Sequence, residues 1–282
     1  MKLASFNAEG KDTWGLVDGD VLYDVGSVLA GEFLDLKALI ARGDYLAALS
    51  ARPAARAFGL GQIKWLPTIP NPDKVLCVGL NYEMHRKETG RSVVGQPTIF
   101  GRFANSQTAH LSPIRRPHVS THLDFEGELA VVVGRPGRYI SRDEAWGHIA
   151  GFACYNDASV RDWQHHTHQF TPGKNFPETG AFGPWMVTAD ELGPLDNLRI
   201  QTRLNGEVVQ EALLGQMIFD VPTIIEYCSS FTRLESGDVI ITGTPGGVGA
   251  KRTPPLWMKP GDIVEVEIDR LGTLRNSIAD EE

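Results

Sequence analysis

The segment DFEGELAVVVG, residues 124–134, places Asp124, Glu126 and Glu128 at alternate positions ahead of an apolar run. In an extended strand, residues i, i+2 and i+4 share one face, so these acids are expected side by side, about 7 Å apart. Carboxylates so close repel unless water, a cation or basic side chains separate them. The same face goes on as Ala130 and Val132, so it turns from acidic to apolar, as in a buried strand whose mouth opens on a site. Oxygen donors of this kind suit a hard divalent cation such as Mg²⁺, which usually keeps several waters beside its carboxylates. A strand with a wet polar face also explains the acids.

Other residues offer chemistry of the same kind. Asp157 ends the apolar run HIAGFACYND, where it can be a ligand or, more simply, a turn or helix N-cap residue. Arg161, Asp162 and Gln164 follow closely, and a solvated helix start accounts for them equally well. Lys174 lies in TPGKNFPETGAFGPW among Gly, Pro and aromatic residues, a place for a substrate carbonyl or carboxylate contact or for an ordinary loop lysine. In GLNYEMHRKETG, Asn81 is expected to cap a short helix from Tyr82 to Thr89 that Gly90 ends. His85 and Glu88 are then i and i+3 on one face. A carboxylate beside an imidazole makes a general base that works near neutral pH, although a plain surface pair has the same spacing.

VIITGTPGGVGAKR runs from a strand into a Gly-rich turn. Its backbone N–H groups, with Thr242 and Thr244, suit a carboxylate, and neither a Walker loop nor a dinucleotide fingerprint fits the spacing. His165, His166 and His168 in WQHHTHQ lack the spacing of a zinc site.

The elements that must position these residues are mostly strands. KVLCVGL, PTIFGRF, ELAVVVG, GHIAGFACYND, PWMVTA, NLRIQTRLNGEVV, DVIITGT and DIVEVEID have strand length and β-branched content, with Asn205-Gly206 as a hairpin turn. Helices are expected at YEMHRKE, at SRDEAW opened by Ser141, and near VPTIIEYCSSF with Pro222 in its first turn. Residues 1–66 read as a small leading α/β unit, with the strands KLASFN, TWGLVD and VLYDV and helical stretches around EFLDLKALIA and DYLAALSARPAARA. Residues 67–73, with Pro67, Pro70 and Pro72, form a stiff connector, and 74–282 form the β-rich body. The fold class expected is mainly β or α+β, with peripheral helices and no doubly wound sheet.

Composition narrows the function. The 282 residues carry 42% apolar content and a formal charge of −8, an ordinary globular balance and a poor one for a nucleic-acid binder, which needs a basic surface. No secretory leader or membrane-spanning segment is expected. Cys77, Cys154 and Cys228 lie far apart in apolar surroundings and read as reduced, buried thiols of a cytoplasmic protein.

Taken in order, CVGLNYEMHRKE, DFEGELAVVVG, YNDASVRDWQ, PGKNFPETGAFGPW and ITGTPGGVG resemble the fumarylacetoacetate hydrolase family, specifically its bacterial members with a short leading domain. The resemblance covers about residues 72–270. It implies a mixed β-sandwich roll that forms a homodimer, with Glu126, Glu128 and Asp157 as ligands of Mg²⁺ or Mn²⁺. It further implies Lys174 at the substrate's oxo group, His85 and Glu88 on a helix that orders over the substrate, Arg161 and Gln164 as pocket-lining polar residues, and Thr244 at the substrate carboxylate. Asp124 matches no ligand and is expected to face solvent or a backbone group. Arg102 departs from the lysine of many relatives, which leaves substrate or dimer contacts there open. The activity implied is metal-dependent hydrolysis of a C–C bond in a 2,4-dioxo acid, an acylpyruvate such as fumaryl- or maleylpyruvate, to pyruvate and a carboxylic acid, in aromatic-compound catabolism. The alternative for the same site is decarboxylation of an oxaloacetate-like 2-oxo acid or isomerisation of a 2-hydroxy-diene-dioate.

Overall fold

The computed structural model describes residues 1–90, 92 and 95–282. Among them, a 12-stranded sheet runs in the order Arg56–Gly59, Val21–Asp24, Lys11–Asp18, Lys2–Ala8, Gly180–Thr188, Ile149–Asp157, Gly127–Val133, Val239–Ile241, Val75–Gly79 and Thr98–Arg102, with two short strands off this path. A five-stranded sheet joins Glu207–Leu213, Arg199–Leu204, Ile263–Ile268, Gly272–Asp280 and Ile114–Arg116. Leu129, Val131, Phe152 and Cys154 of the first sheet share a buried cluster with Ile200, Val264, Val266 and Leu274 of the second. The opposite face of the first sheet, with Ala130, Val132, Ala153 and Ile241, packs in a second cluster with Leu3, Trp14, Phe33 and Leu39, and mixed pairing with peripheral helices matches the expected class.

Local signals explain most elements. Asp35, Asp44 and Asp220 each accept a backbone N–H at the start of a helix, over Leu36–Arg42, Tyr45–Ala51 and Val221–Phe231, as N-caps do. Asn205 and Gly206 both take positive φ and join paired strands, the geometry a two-residue hairpin turn requires. All three cysteines are free and buried. Among the described residues, no helix is long and apolar enough to cross a membrane.

Three expectations fail. SRDEAW forms no α-helix: the Ser141 hydroxyl bonds the Glu144 side chain and only a 3-10 turn, Ala145–His148, follows. The helix near His85 covers Glu83–Glu88 with Tyr82 at its N-cap, because Asn81 turns away to donate to Phe219 O and Thr242 O. The acids of DFEGE do not share one strand either. Leu123–Asp124 pairs with Ser159–Val160, whereas Gly127–Val133 pairs with Ile149–Asp157, and Phe125 and Glu126 bridge the two pairings.

The leading residues are not a detached sheet. Lys2 and Leu3 pair with Val187 and Met186 of Gly180–Thr188, the strand beside the one that ends at Asp157.

Candidate active site

The end of Ile149–Asp157 and the start of Gly127–Val133 lie side by side, and they carry the acids. Asp157 N donates to Glu126 O at 2.8 Å and Glu126 N donates to Asn156 Oδ1 at 3.0 Å, which ties the two segments together. One oxygen each of Glu126, Glu128 and Asp157 then lies within 4.8 Å of the others, and all three residues are buried.

Basic side chains balance most of this charge. Lys174, 1% exposed, places Nζ 2.5 Å from both Glu126 Oε2 and Asp157 Oδ2. Arg161 donates from Nε to Asp124 Oδ2 at 2.8 Å and from Nη1 to Gln164 Oε1 at 2.8 Å, while its Nη2 lies 2.7 Å from Glu126 Oε1. Arg102 donates from Nη1 to Asp157 Oδ1 at 2.6 Å. Of the two surroundings expected for Asp124, solvent is excluded because the residue is fully buried, whereas backbone groups are present, Gly249 N and Ala250 N both donating to it; its pairing with Arg161 is the part not foreseen. Arg102 is committed to Asp157, Ala158 O, Thr179 and Ser106 inside the fold.

Glu128 is the exception. Its partner is the Gly243 N–H, 2.5 Å from Oε2, and no basic side chain pairs with it among the described residues. Burial, reinforced by the charges of Asp157 and Glu126, pushes its carboxyl well above the usual range. Burial acts the same way on Glu126, but Arg161 and Lys174 outweigh it and hold that carboxyl low. For Lys174, burial favours the neutral amine, yet Asp157 and Glu126 prevail and keep it charged. Four buried carboxylates therefore face three buried cations, with the surplus at Glu128. An all-oxygen donor set with one unbalanced charge fits a hard divalent cation, held by Glu126, Glu128 and Asp157.

A cavity of about 110 Å³ opens beside these acids. His85, Arg161, Gln164, Lys174 and Thr244 line it together with the three acids, so the expected site residues converge on one space. Glu88 stands behind, accepting from His85 Nδ1 through Oε1 at 2.7 Å and from Gly247 N through Oε2 at 2.9 Å. This leaves Nε2 as the imidazole atom available to a substrate. Thr244 lines the cavity, but its hydroxyl donates to Gly127 O at 3.0 Å. Thr242 does not line it and bonds Leu129 O. Of the histidine run, His165 reaches the cavity wall, and His166 packs its ring on Trp163. Sequence reasoning missed the pairing of Arg102 with Asp157, for which an arginine inside the apolar IFGRF is a signal.

Comparison with known proteins shows the family of the chain. The family described as fumarylacetoacetate (FAA) hydrolase, C-terminal, matches residues 74–279. The human mitochondrial oxaloacetate tautomerase FAHD2A is 42% identical over 219 residues, 77% of this chain and 70% of that protein. The fumarylacetoacetate hydrolase of psychrophilic Exiguobacterium antarcticum superposes with a TM-score of 0.87 at 32% identity, over the whole of both chains. Maleylpyruvate hydrolase from Sphingobium sp. SYK-6, solved with manganese(II) and pyruvate, gives 0.84 at 25% identity, again over the whole of both chains. The chain belongs to the fumarylacetoacetate hydrolase family.

Proposed function

We propose that this protein catalyses keto–enol proton transfer on a small 2-oxo diacid of the oxaloacetate type. The observation that carries the reading is the His85–Glu88 pair, aimed into the same cavity as Glu126, Glu128 and Asp157. The cavity size supports a small substrate, since about 110 Å³ is well below the roughly 300–1,000 Å³ of pockets for drug-sized ligands. The oxaloacetate tautomerase among the relatives supports the substrate class.

A divalent cation on the three acids would supply Lewis acidity, drawing electron density from the 2-oxo group and acidifying the neighbouring C–H. His85 Nε2 takes that proton as general base, while Glu88 holds the Nδ1 proton and stabilises the imidazolium. The C–H electron pair becomes the C=C bond and the carbonyl pair collects on oxygen. Lys174, charged and dry, adds positive charge beside that oxygen, and the His85 imidazolium returns the proton to it, which restores the base. Arg161 and Gln164 orient the substrate on the cavity wall.

A second reading, hydrolysis of an acylpyruvate, uses the same base on water, and the likeness to a maleylpyruvate hydrolase favours it. One assay separates them. Purified protein is mixed with oxaloacetate and with fumaryl-, maleyl- and acetylpyruvate, each with Mn²⁺ or chelator. Enol absorbance follows tautomerisation, and chromatography follows CO₂ loss and C–C cleavage. Metal-dependent acceleration of enol exchange is expected. Cleavage of an acylpyruvate without such acceleration would replace the first reading by the second.

A further inference from the structure

Glu126 and Glu128 are separated by one residue, Gly127, and glycine has the widest backbone freedom of any residue. Nothing larger fits. A Cβ there would lie 2.1 Å from Thr202 Oγ1 and 3.3 Å from two Val266 methyl carbons, which belong to the second sheet. The close approach of the two sheets thus requires glycine between the two acids, the residue whose backbone is least restricted by its own side chain.

Strand pairing on one side does not steady it. Val239–Ile241 pairs with Ala130, Val131 and Val132 and stops short of Gly127. Side chains replace the missing ladder. Gly127 N donates to Gln210 Oε1 at 3.0 Å, and Gly127 O accepts from the Thr244 hydroxyl at 3.0 Å. Gln210 Nε2 closes the ring by donating to Thr244 Oγ1 at 2.8 Å and to Pro245 O at 2.9 Å. Gln210 is 2% exposed and is absent from the cavity lining, so its amide is committed to Gly127 and to the Thr244–Pro245 turn.

We propose that Gln210 is a positioning residue which, through Gly127 and Thr244, fixes the spacing of Glu126 and Glu128 for a divalent cation. The inference rests on these acids, with Asp157, being the ligands, as argued above; it does not depend on which reaction follows. Because the amide is neutral, removing it leaves the local charge unchanged, and a change in cation affinity reports geometry rather than field.

The test is Mn²⁺ binding, by calorimetry and by the electron paramagnetic resonance spectrum of the bound ion, in the full chain and in Gln210→Met and Thr244→Val. Gln210→Met is expected to bind Mn²⁺ about 10–100-fold more weakly, the usual effect of losing a partner that orients a metal ligand, with an altered spectrum. Thr244→Val, which breaks the bonds of Thr244 to Gly127 O and to Gln210 Nε2, is expected to bind Mn²⁺ roughly two- to tenfold more weakly, since only the first of these bonds holds the peptide directly. The double variant should lose less than the product of the two, since both act on one peptide. A lower melting temperature with unchanged Mn²⁺ affinity would reduce Gln210 to a structural role and overturn the proposal. If Gln210→Met does not fold, unchanged affinity in Thr244→Val overturns it instead. Failure of the parent chain to bind Mn²⁺ removes the ligand reading and this inference with it, whereas parent binding matched by both variants removes this inference alone.

Discussion

Replacing Glu128 by glutamine is expected to stabilise the cation-free protein while abolishing cation binding. Glu128 is buried, lies within 4.8 Å of the oxygens of Glu126 and Asp157, and has a single backbone N–H for a partner. Two unit charges at that distance repel by about 3.5 kcal/mol at an effective dielectric constant of about 20, and Lys174 nearby offsets part of this. Protonation sets a ceiling. Keeping a proton that an exposed glutamate releases near pH 4.3 costs about 1.4 kcal/mol per pH unit, or about 5 kcal/mol at about pH 8. With the repulsion partly offset and the ceiling at about 5 kcal/mol, the amide is expected to add about 2–4 kcal/mol at about pH 8, its oxygen keeping the Gly243 bond and its NH₂ facing the two acids.

The sign follows from the direction of the shift. A carboxyl whose pKa is raised in the fold binds more protons folded than unfolded, so its contribution falls as pH rises above the unfolded value. The advantage of Glu128→Gln should therefore vanish near pH 4 and grow toward about pH 8. Urea unfolding with chelator present, across this range, measures it. A variant no more stable than the parent at about pH 8, or a difference that ignores pH, would refute the claim that Glu128 is an uncompensated charge.

His85→Gln should lower turnover by about 10²–10⁴, the usual worth of a general base, with Mn²⁺ affinity intact; lost Mn²⁺ would place the imidazole on the cation. Lys174→Met strips the buried counter-charge from Glu126 and Asp157 and should cost the cation-free fold about 3–5 kcal/mol in urea unfolding, part of it recovered on adding Mn²⁺; a loss under about 1 kcal/mol would contradict the charge balance described. Chelation should abolish turnover, and the rise in melting temperature on adding Mn²⁺ should be larger at about pH 8 than at about pH 5, because ligands shed protons to bind; a pH-independent rise would count against Glu128 as a ligand.

The acids stood out as candidates because alternate carboxylates at the mouth of an apolar run, and an aspartate at the end of another, are patterns written within about ten residues, while their grouping as one ligand set came from the family resemblance. What escaped depends on distant partners. Asn81 has the residue type and place of a helix cap, but its amide is claimed by Thr242 O and Phe219 O. Asp124 shares the alternation of Glu126 and Glu128, yet the change of strand partner at Phe125–Glu126 sends it to Arg161 and the Gly249 turn. The strand Gly272–Asp280 was not foreseen, since a buried Asn276, bonded to Ala109 O and Ser112 O, interrupts its apolar alternation. Nothing in the sequence singles out Gln210, and only the fold sets it beside Gly127.

The pairing of Lys2 and Leu3 with Val187 and Met186 gives the first residues of the chain a protective task. Without them, that stretch of Gly180–Thr188 would present unpaired amides and carbonyls, a template on which another polypeptide could add itself. The strand so shielded lies next to the one that delivers Asp157. Clipping the chain at its proline-rich connector would thus do more than shorten it: it would bare an adhesive margin one strand away from the chemistry.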